Sequence, residues 1–386
     1  MTKEEKIVMV INAYNSGQDI SIIQSRFKCS KSWVYKWLKR YKENPSGPWY
    51  LEHSRKPKTI HYATCKEETD AIIAARLSLE SKPYSQRGAI SIQYELRQQQ
   101  APVVPVWKIN KILKRANLNQ KEPKNKKRTN EYPFVGIIVD QMDFVGPRYI
   151  KNDGRYYTLN IIDTTTHFVH INPIRGRDTD NVLQSVIRFW QHRGIPDYLQ
   201  MDNELSFRGS NRHPHSFSKL IRLALSLRIT VVFIPVQEPW RNGVIEKFND
   251  SFNKRFVRGK TYKDFEDLQN CAREFEVFHN QFHRYNAHKN KTPNEQITEE
   301  MNRDILSKDF TLPQSPLPLK QGRIILMRFI RSNLLLDVFG EKFLMPKHLE
   351  YSYVITLIDI EKQLLLVLRD DKIEWQIHYQ TEESTM

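Results

Sequence analysis

PWRNGVIEKFNDSFNKRF, residues 239–256, decides how the middle of this chain folds. A proline and a glycine break the chain at its start, and apolar residues then recur at helical spacing from Ile245 to Phe256. Glu246 lies off this apolar stripe, close to the start of the predicted helix. Taken alone, Glu246 resembles any solvated acid on an amphipathic surface helix. Its role therefore depends on which other carboxylates lie near it.

The segments before this helix predict an α/β core with a mixed sheet. Residues 134–147 form a mostly apolar strand run, and residues 156–174 hold two more strands around a turn. A helix over 181–192, the short strand DYLQMD and a helix over 216–227 follow. The β-branched strand RITVVFIP then leads into the helix that carries Glu246. Three strands followed by alternating helices and strands are typical of this fold class.

Three acids occupy comparable places in the predicted core. Asp143 lies toward the end of the first strand, Asp202 ends DYLQMD, and Glu246 follows RITVVFIP. Sites in open α/β sheets collect at strand ends, where three carboxylates would repel one another unless a cation neutralised them. Oxygen ligands with open coordination positions suit Mg²⁺ or Mn²⁺. Two such ions can activate an attacking oxygen and stabilise a leaving oxygen in phosphodiester chemistry.

Other acids compete with these three. Asp140 and Asp143 are three residues apart on one strand, so they point to opposite faces and only one can serve. Glu204 lies two residues after Asp202 and is a second candidate there. Asp163 also ends a strand, and a turn residue is the simpler interpretation for it.

The charge of the chain predicts a polyanionic partner. A formal net charge of +16 and a pI near 9.5 favour nucleic acid. The three cysteines are far apart and form no metal or disulfide pattern, which favours a reducing compartment. No apolar run approaches membrane-spanning length, so we expect a cytoplasmic protein without a membrane partner.

Residues 1–45 predict a helix-turn-helix DNA-binding domain. In CSKSWVYKWLKRY, residues 29–41, Ser30 is the expected N-cap and an apolar stripe runs from Val34 to Tyr41. A basic, hydroxyl-bearing free face on such a helix has the shape that enters a DNA major groove. A helical packing module with a solvated basic face is the alternative. The residues expected to face DNA are Lys31, Ser32, Tyr35, Lys36, Lys39 and Arg40.

Two further regions flank the core. Residues 62–120 predict a second, less specific helix-turn-helix domain, and we expect linkers at 44–61 and 119–130 because these segments are polar and lack apolar periodicity. Residues 320–380 hold five or six short alternating strands, which predict a small β-barrel.

Three motifs give the core a family resemblance. VDQMDFVGP, MDNELSF and RNGVIEKFNDSF resemble the motifs of the DDE catalytic core shared by retroviral integrases and bacterial insertion-sequence transposases. FHRYNAHKNKTPNEQI resembles the segment that follows this core in the transposases, and RFKCSKSWVYKWLKRY resembles the helix-turn-helix of many mobile-element proteins. The resemblance covers nearly the whole chain and implies a ribonuclease H-like fold over 131–300.

The resemblance also implies residues and an activity. Its motif context favours Asp143 over Asp140 and Asp202 over Glu204, so Asp143, Asp202 and Glu246 become the catalytic, metal-binding triad for Mg²⁺ or Mn²⁺. The implied activity is that of a DNA transposase, which cleaves and joins mobile-element ends. The implied partners are double-stranded DNA (terminal repeats and target) and further copies of the chain, assembled as a homo-oligomer on paired ends at the nucleoid. Phosphates are expected to contact Lys247, Lys254 and Arg255.

Two rival functions remain open. A catalytically inactive helix-turn-helix DNA-binding regulator needs only the basic helical domains and leaves the three acids unexplained. A ribonuclease H-like nuclease for RNA–DNA hybrids uses the acids, but two N-terminal DNA-reading units argue against it.

The spacing of the acids departs from the family pattern. Glu246 follows Asp202 by 44 residues, which is longer than is usual for the family. The excess lies in SFRGSNRHPHSFSK, residues 206–219. His213 and His215 have no acid or thiol at ligand spacing, so we expect a solvated or DNA-facing loop there.

Overall fold

The described chain divides into two compact units. The computed structural model describes residues 2–52, 65–119, 138–213, 215–235, 238–298 and 303–381. Contacts group residues 1–65 into one unit and residues 66–386 into the other. The predicted linkers fall largely outside the described residues, at 53–61 and 120–130.

The first unit is a small three-helix domain. Ser30 caps the third helix, accepting a hydrogen bond from the Trp33 amide at 3.3 Å, as the sequence predicts. Trp37 is fully buried between the helices, and Trp49 packs edge-on against Tyr41 with ring centroids 5.1 Å apart. The first part of the predicted 44–61 linker therefore folds back onto this domain. The helices are α1 (Lys3–Asn15), α2 (Ile20–Phe27) and α3 (Lys31–Glu43).

The second unit begins with three more helices where the sequence predicts them. They share a buried apolar core that includes Ile72, Ile92 and Ile109. Tyr84, in the turn after the first of them, packs edge-on against Phe275 of the α/β core, with ring centroids 5.1 Å apart. The helices are α4 (Lys66–Ser81), α5 (Ala89–Gln98) and α6 (Val106–Arg115).

The central sheet begins as an antiparallel meander and continues in parallel. β1, β2 and β3 pair antiparallel, and β4 and β5 then extend the other side of β1 in parallel. One face carries α7 and α9, and the other carries α10 and α11. The strands are β1 (Val139–Ile150), β2 (Gly154–Asp163), β3 (Val169–Ile174), β4 (Tyr198–Met201) and β5 (Thr230–Phe233). The helices are α7 (Thr179–Arg193), α8 (Leu205–Arg208), α9 (Lys219–Ser226), α10 (Gly243–Phe252), α11 (Phe265–Phe282) and α12 (Pro293–Gln296).

The helix predicted over 239–256 is a composite. It starts as a 3-10 turn over Pro239–Asn242, continues as α10, and ends in a π-helical turn over Asn253–Val257. Its apolar stripe packs as predicted, since Ile245, Phe248 and Phe252 are buried against α11 and the sheet.

The C-terminal strands continue the core sheet. β6 pairs in parallel with β5, and β9, β10 and β11 follow antiparallel, giving the order β11-β10-β9-β6-β5-β4-β1-β2-β3 over the described residues. The small β-barrel expected over 320–380 is not confirmed. Strand alternation marks which residues form strands, but it does not say which sheet edge they pair with. The strands are β6 (Arg323–Phe329), β7 (Leu335–Val338), β8 (Glu341–Leu344), β9 (Tyr353–Asp359), β10 (Leu364–Arg369) and β11 (Lys372–His378).

The carboxyl ends of β1, β4, β5 and β6 meet at one edge of the sheet because these strands are parallel neighbours.

No helix in the described part of the chain is long and apolar enough to cross a membrane.

Candidate active site

The parallel register brings two of the predicted acids to one level. β1 and β4 pair Gln141 with Gln200, so two residues further along Asp143 lies level with Asp202. Glu246 comes from the first turn of α10, which packs on β1 and β2. All three side chains are partly buried. The structure therefore gathers the predicted trio at the carboxyl edge of the sheet.

The three carboxylates repel one another. The pKa of Asp143 is raised to about 7. Burial is the largest cause, and the charges of Asp202 and Glu246 add to it. Burial also raises the pKa of Glu246, with the Asp202 charge as the second cause. For Asp202, burial is again the largest cause of a raised pKa, and Glu204 adds to it. A cation at this edge would relieve the repulsion.

Amide side chains hold Asp143 and the start of α10 in place. Asn249 donates to Asp143 Oδ2 at 2.8 Å, and Asn160, the cross-strand partner of Asp143, donates to Asn249 Oδ1 at 2.8 Å. Gln141 Oε1 accepts from the backbone amides of Val244 and Ile245 at 3.1 and 3.0 Å. Gln141 thereby caps the first turn of α10, from which Glu246 projects.

Sequence reasoning missed this set of amides. Asn249 was visible as a polar residue beside Glu246, but its partners come from strands about 90 to 100 residues earlier in the chain. The one usable signal is that Asn160 and Gln141 are polar residues inside otherwise apolar strand runs, and a buried polar side chain needs a partner.

Asp140 and Asp163 belong to a different, structural cluster. They face each other across β1 and β2, on the face covered by α7, and both are fully buried. Arg303 pairs with Asp140 at 2.7 Å and with Asp163 at 2.8 Å, and Arg193 pairs with Asp163 at 2.7 Å. Asp163 also caps a turn by accepting from the Thr165 amide. The preference for Asp143 over Asp140 agrees with this placement.

Glu204 is likewise engaged outside the trio. Its carboxylate accepts from Arg177 at 2.8 Å, while its backbone amide donates to Asp202 Oδ1 at 3.1 Å. The backbone of Glu204 thus orients Asp202, whereas its side chain turns toward Arg177.

The three carboxylates suit a metal ion that takes only some of its ligands from the protein. Among the described residues, no group of three or more His, Cys, Asp or Glu side chains is arranged as a ready metal cage. The carboxylates of Asp143, Asp202 and Glu246 nevertheless act on one another electrostatically. Mg²⁺ is commonly held by one or two carboxylates together with substrate phosphate oxygens, and this trio fits that arrangement.

The N-terminal DNA face largely matches its prediction, with one correction. Lys31, Ser32, Tyr35, Lys36 and Lys39 are exposed on α3. Arg40 is only half-exposed, because its guanidinium lies 4.7 Å from the Trp37 ring centroid and donates to Leu51 O at 3.2 Å. Helical spacing placed Arg40 outward, but the segment it binds lies beyond the helix.

The cations beside Glu246 line a cleft of about 840 Å³ between α5, α10 and residues 283–286. Lys247 is exposed there, and Lys254 is exposed with Asp250 3.3 Å away. Arg255 requires a correction, because it is half-buried and donates to His283 Nδ1 at 2.9 Å. Arg87, at the start of α5, adds an exposed cation that the sequence did not single out.

The inserted loop does not match its expectation throughout. His213 is exposed. His215 instead stacks on Tyr379 with centroids 4.4 Å apart and pairs with Glu341 at 3.2 Å. The part of the loop around His215 therefore packs on the C-terminal strands. The prediction of a solvated or DNA-facing loop was wrong there because those strands were assigned to a separate barrel.

Comparison with known families decides the nature of the core. Residues 138–239 match the model of the integrase core domain, and residues 1–49 match the model of a homeodomain-like domain. Residues 138–239 of this chain are therefore similar to an integrase core domain. The matched stretch contains Asp143 and Asp202 and ends shortly before Glu246. Both matches agree with the mixed sheet of the core and with the three helices of the first unit.

One relative and two solved structures are among the proteins to which the chain is similar. A putative integrase, ORF3 of Spiroplasma virus SpV1-C74, is 23% identical over 307 residues, which span 71% of this chain and 82% of that protein. The magnesium complex of the HTLV-2 integrase catalytic core domain shares 14% identity and a TM-score of 0.30, covering 41% of this chain and 94% of that one. The simian T-cell lymphotropic virus intasome, solved with PP2A regulatory subunit B56 gamma, shares 13% identity and a TM-score of 0.36, covering 81% and 99%.

Proposed function

We propose that this integrase core belongs to a DNA transposase that cleaves and joins mobile-element ends. The observation that carries the proposal is the placement of Asp143, Asp202 and Glu246 at the carboxyl edge of the sheet. Burial raises the pKa of Asp143 and of Glu246, and the charge of Asp202 raises both further. Proteins with integrase cores are polynucleotidyl transferases, and recombinase or transposase activity is the corresponding class. The inactive-regulator alternative is not favoured, because it gives these carboxylates no role.

The trio would hold two divalent ions between its members. Asp143, Asp202 and Glu246 would hold the ions through their carboxylate oxygens. When bound, Mg²⁺ or Mn²⁺ would lower the pKa of an attacking oxygen and stabilise charge on the leaving oxygen. Without a cation Asp143 has a pKa of about 7, so ion binding and full ionisation of the trio are coupled.

The chain's own residues keep this geometry fixed during two successive displacements. In the first, a water oxygen bonds to phosphorus at the element end and loses a proton. The bond between phosphorus and the 3′ oxygen breaks, and that oxygen takes up a proton to become a free 3′-hydroxyl. In the second, that hydroxyl attacks a target phosphodiester and expels another 3′ oxygen, which takes up a proton. Asn249 holds Asp143, and Gln141 fixes the start of α10, so the carboxylates keep their spacing while the DNA strand is exchanged.

DNA would be bound by separate surfaces of the two units. The exposed face of α3 would read the terminal repeats in the major groove, and the helices of residues 62–120 would add a second contact. Lys247, Lys254 and Arg87 would pair with phosphates along the cleft beside α10. We propose a homo-oligomer on two paired ends as the active form, measurable as a discrete mass of the protein–DNA complex by light scattering.

The test uses duplexes that end in the inverted repeats found beside the gene. With Mg²⁺, the wild-type protein is expected to nick the 3′ end and join it to target DNA. Asp143→Asn and Asp202→Asn are expected to lower the rate by about 10³-fold or more, since ions of this kind contribute several kcal/mol. Glu204→Gln, which removes a neighbouring acid bound to Arg177, is the matched control and is expected to retain activity.

Three results would contradict the proposal. Binding of the end duplex without any nicking would identify a regulator. Preferred cleavage of an RNA–DNA hybrid over the duplex would identify a ribonuclease. Full activity of Asp143→Asn would show that the assigned trio does not carry the chemistry.

A further inference from the structure

We propose that the C-terminal strands position the active edge. Arg328 of β6 would hold the loop that carries Asp202, and Tyr353 of β9 would hold the turn that begins the helix with Glu246. Both are positioning residues, since neither reaches the trio directly in the hydrogen bonds described below. The inference depends on the proposed function only for the chemical role of the acids.

The sheet register places Arg328 at the right level. β4 pairs Met201 with Phe233 of β5, and β5 pairs Phe233 with Leu326 of β6. Two residues further along each strand, Arg328 is therefore level with Asn203, the residue after Asp202. This placement follows from the extension of the core sheet by β6, which a separate barrel would not provide.

The guanidinium of Arg328 joins three segments. Its Nη2 donates to Asn203 Oδ1 at 2.9 Å, and its Nε donates to Asp337 O of β7 at 3.0 Å. Its Nη1 reaches Ile234 O at 3.4 Å, just after β5, and Asn203 Nδ2 donates to the same carbonyl at 2.7 Å. Arg328 is only 7% exposed, so its N–H groups need protein acceptors in place of water. Loss of one of these hydrogen bonds is therefore expected to weaken the others.

Tyr353 closes a second chain of contacts around the other side of the edge. Its hydroxyl donates to Glu238 Oε1 at 2.7 Å, and Glu238 Oε2 accepts from Arg241 at 2.8 Å. The Arg241 guanidinium lies 4.8 Å from the Tyr353 ring centroid, and Arg241 O accepts from Gln200 of β4 at 3.1 Å. The 3-10 turn before α10 is thus fixed between β9 and β4.

These contacts are separate from the packing that holds the C-terminal strands to the core. Ile324 and Leu326 of β6 are fully buried in the apolar cluster under the sheet and supply that packing. The polar groups of Arg328 and Tyr353 instead end on loops next to the trio. Arg369 of β10 offers a matched comparison, because it donates to His348 O at 2.8 Å and lies 3.6 Å from Glu374, both within the C-terminal region.

Hydrogen–deuterium exchange of the full-length protein tests the inference without requiring activity. Arg328→Gln is expected to speed exchange of amides in residues 203–208 by about tenfold or more, because a hydrogen bond to a charged group is lost at a buried site. Tyr353→Phe, which removes one oxygen, is expected to speed exchange in residues 241–246. Arg369→Gln is expected to leave both segments unchanged. Wild-type exchange of both segments in the first two variants would overturn the inference.

Calorimetric titration with Mn²⁺ tests whether the hydrogen bonds of Arg328 affect metal binding by the trio. Arg328→Gln is expected to raise the Kd for Mn²⁺ about tenfold, Arg328→Lys to recover part of the loss, and Arg369→Gln to match wild type. An unchanged Kd in Arg328→Gln, despite faster exchange, would overturn the link to the acids. If wild-type protein bound no Mn²⁺, the proposed function would fail. The exchange experiment would still decide whether Arg328 and Tyr353 hold the two segments in place. If Arg328→Gln did not fold, Tyr353→Phe would be used for both the exchange measurement and the Mn²⁺ titration.

Discussion

Asp140 and Asp143 lie three residues apart on β1, yet their conversion to asparagine is expected to change stability in opposite directions. Asp140 is fully buried against Arg303. Burial raises the pKa of Asp140 to about 7 although Arg303 lowers it, so relief of this burial cost offsets part of the loss in Asp140→Asn. Because the buried Arg303 guanidinium is left with Asp163 alone, we still expect the free energy of unfolding to fall, by about 1–2 kcal/mol. Cleavage per folded molecule is expected to persist.

Asp143→Asn is expected to raise the free energy of unfolding in metal-free buffer at pH 8. The pKa of Asp143 lies at about 7 instead of 3.8 because of burial and the charges of Asp202 and Glu246. Keeping it ionised in the folded state therefore costs at most about 4 kcal/mol, and solvent screening of a partly buried group reduces this to about 1–2 kcal/mol. Removing the charge recovers that cost while abolishing cleavage.

Urea unfolding followed by tryptophan fluorescence measures both changes, with cleavage assayed on the same preparations. A destabilised Asp143→Asn protein, or an Asp140→Asn protein as stable as wild type, would refute the division of β1 into a structural and a catalytic face.

Three further predictions follow from other contacts. Gln141→Ala removes the cap on α10 and is expected to cost about 1–2 kcal/mol in urea unfolding; an unchanged midpoint would contradict the capping role. Burial lowers the pKa of His279 to about 3 and of His167 to about 4. As the pH falls, the unfolded chain therefore binds protons at these histidines before the folded chain does. Between pH 6.5 and pH 4 the free energy of unfolding of wild type is expected to fall by roughly 2–3 kcal/mol more than that of His279→Gln. Parallel pH profiles of the two proteins would contradict this. Lys247→Ala is expected to weaken DNA binding and lower the slope of log K against log salt by about 1, whereas Lys362→Ala, at an exposed C-terminal site, is expected to leave the slope unchanged.

The trio was predicted from local signals together with the family resemblance. Helical spacing predicts the helix that carries Glu246, and acids at the ends of apolar strand runs give the aspartate candidates. The resemblance then favours Asp143 over Asp140 and Asp202 over Glu204. The parallel pairing of β1 with β4 then brings those strand ends together.

The rest depends on contacts between segments far apart in the chain. Alternating apolar residues predict the C-terminal strands, but whether they pair with one another or with the free edge of β5 depends on the three-dimensional core. Arg328 therefore could not be connected with Asn203 from sequence. Arg40 and Arg255 show the same limit, since helical spacing places them outward while Leu51 and His283 draw them in.

We propose that Glu246, which alone resembles any acid on an amphipathic helix, completes a metal-dependent nuclease site with two strand-end aspartates. The most direct measurement is single-turnover cleavage of the element-end duplex by Glu246→Gln and Glu204→Gln, with Mg²⁺ and with EDTA. We predict Mg²⁺-dependent cleavage at the wild-type rate for Glu204→Gln and a loss of about 10³-fold or more for Glu246→Gln. Equal rates for the two variants, or cleavage that persists in EDTA, would contradict the claim.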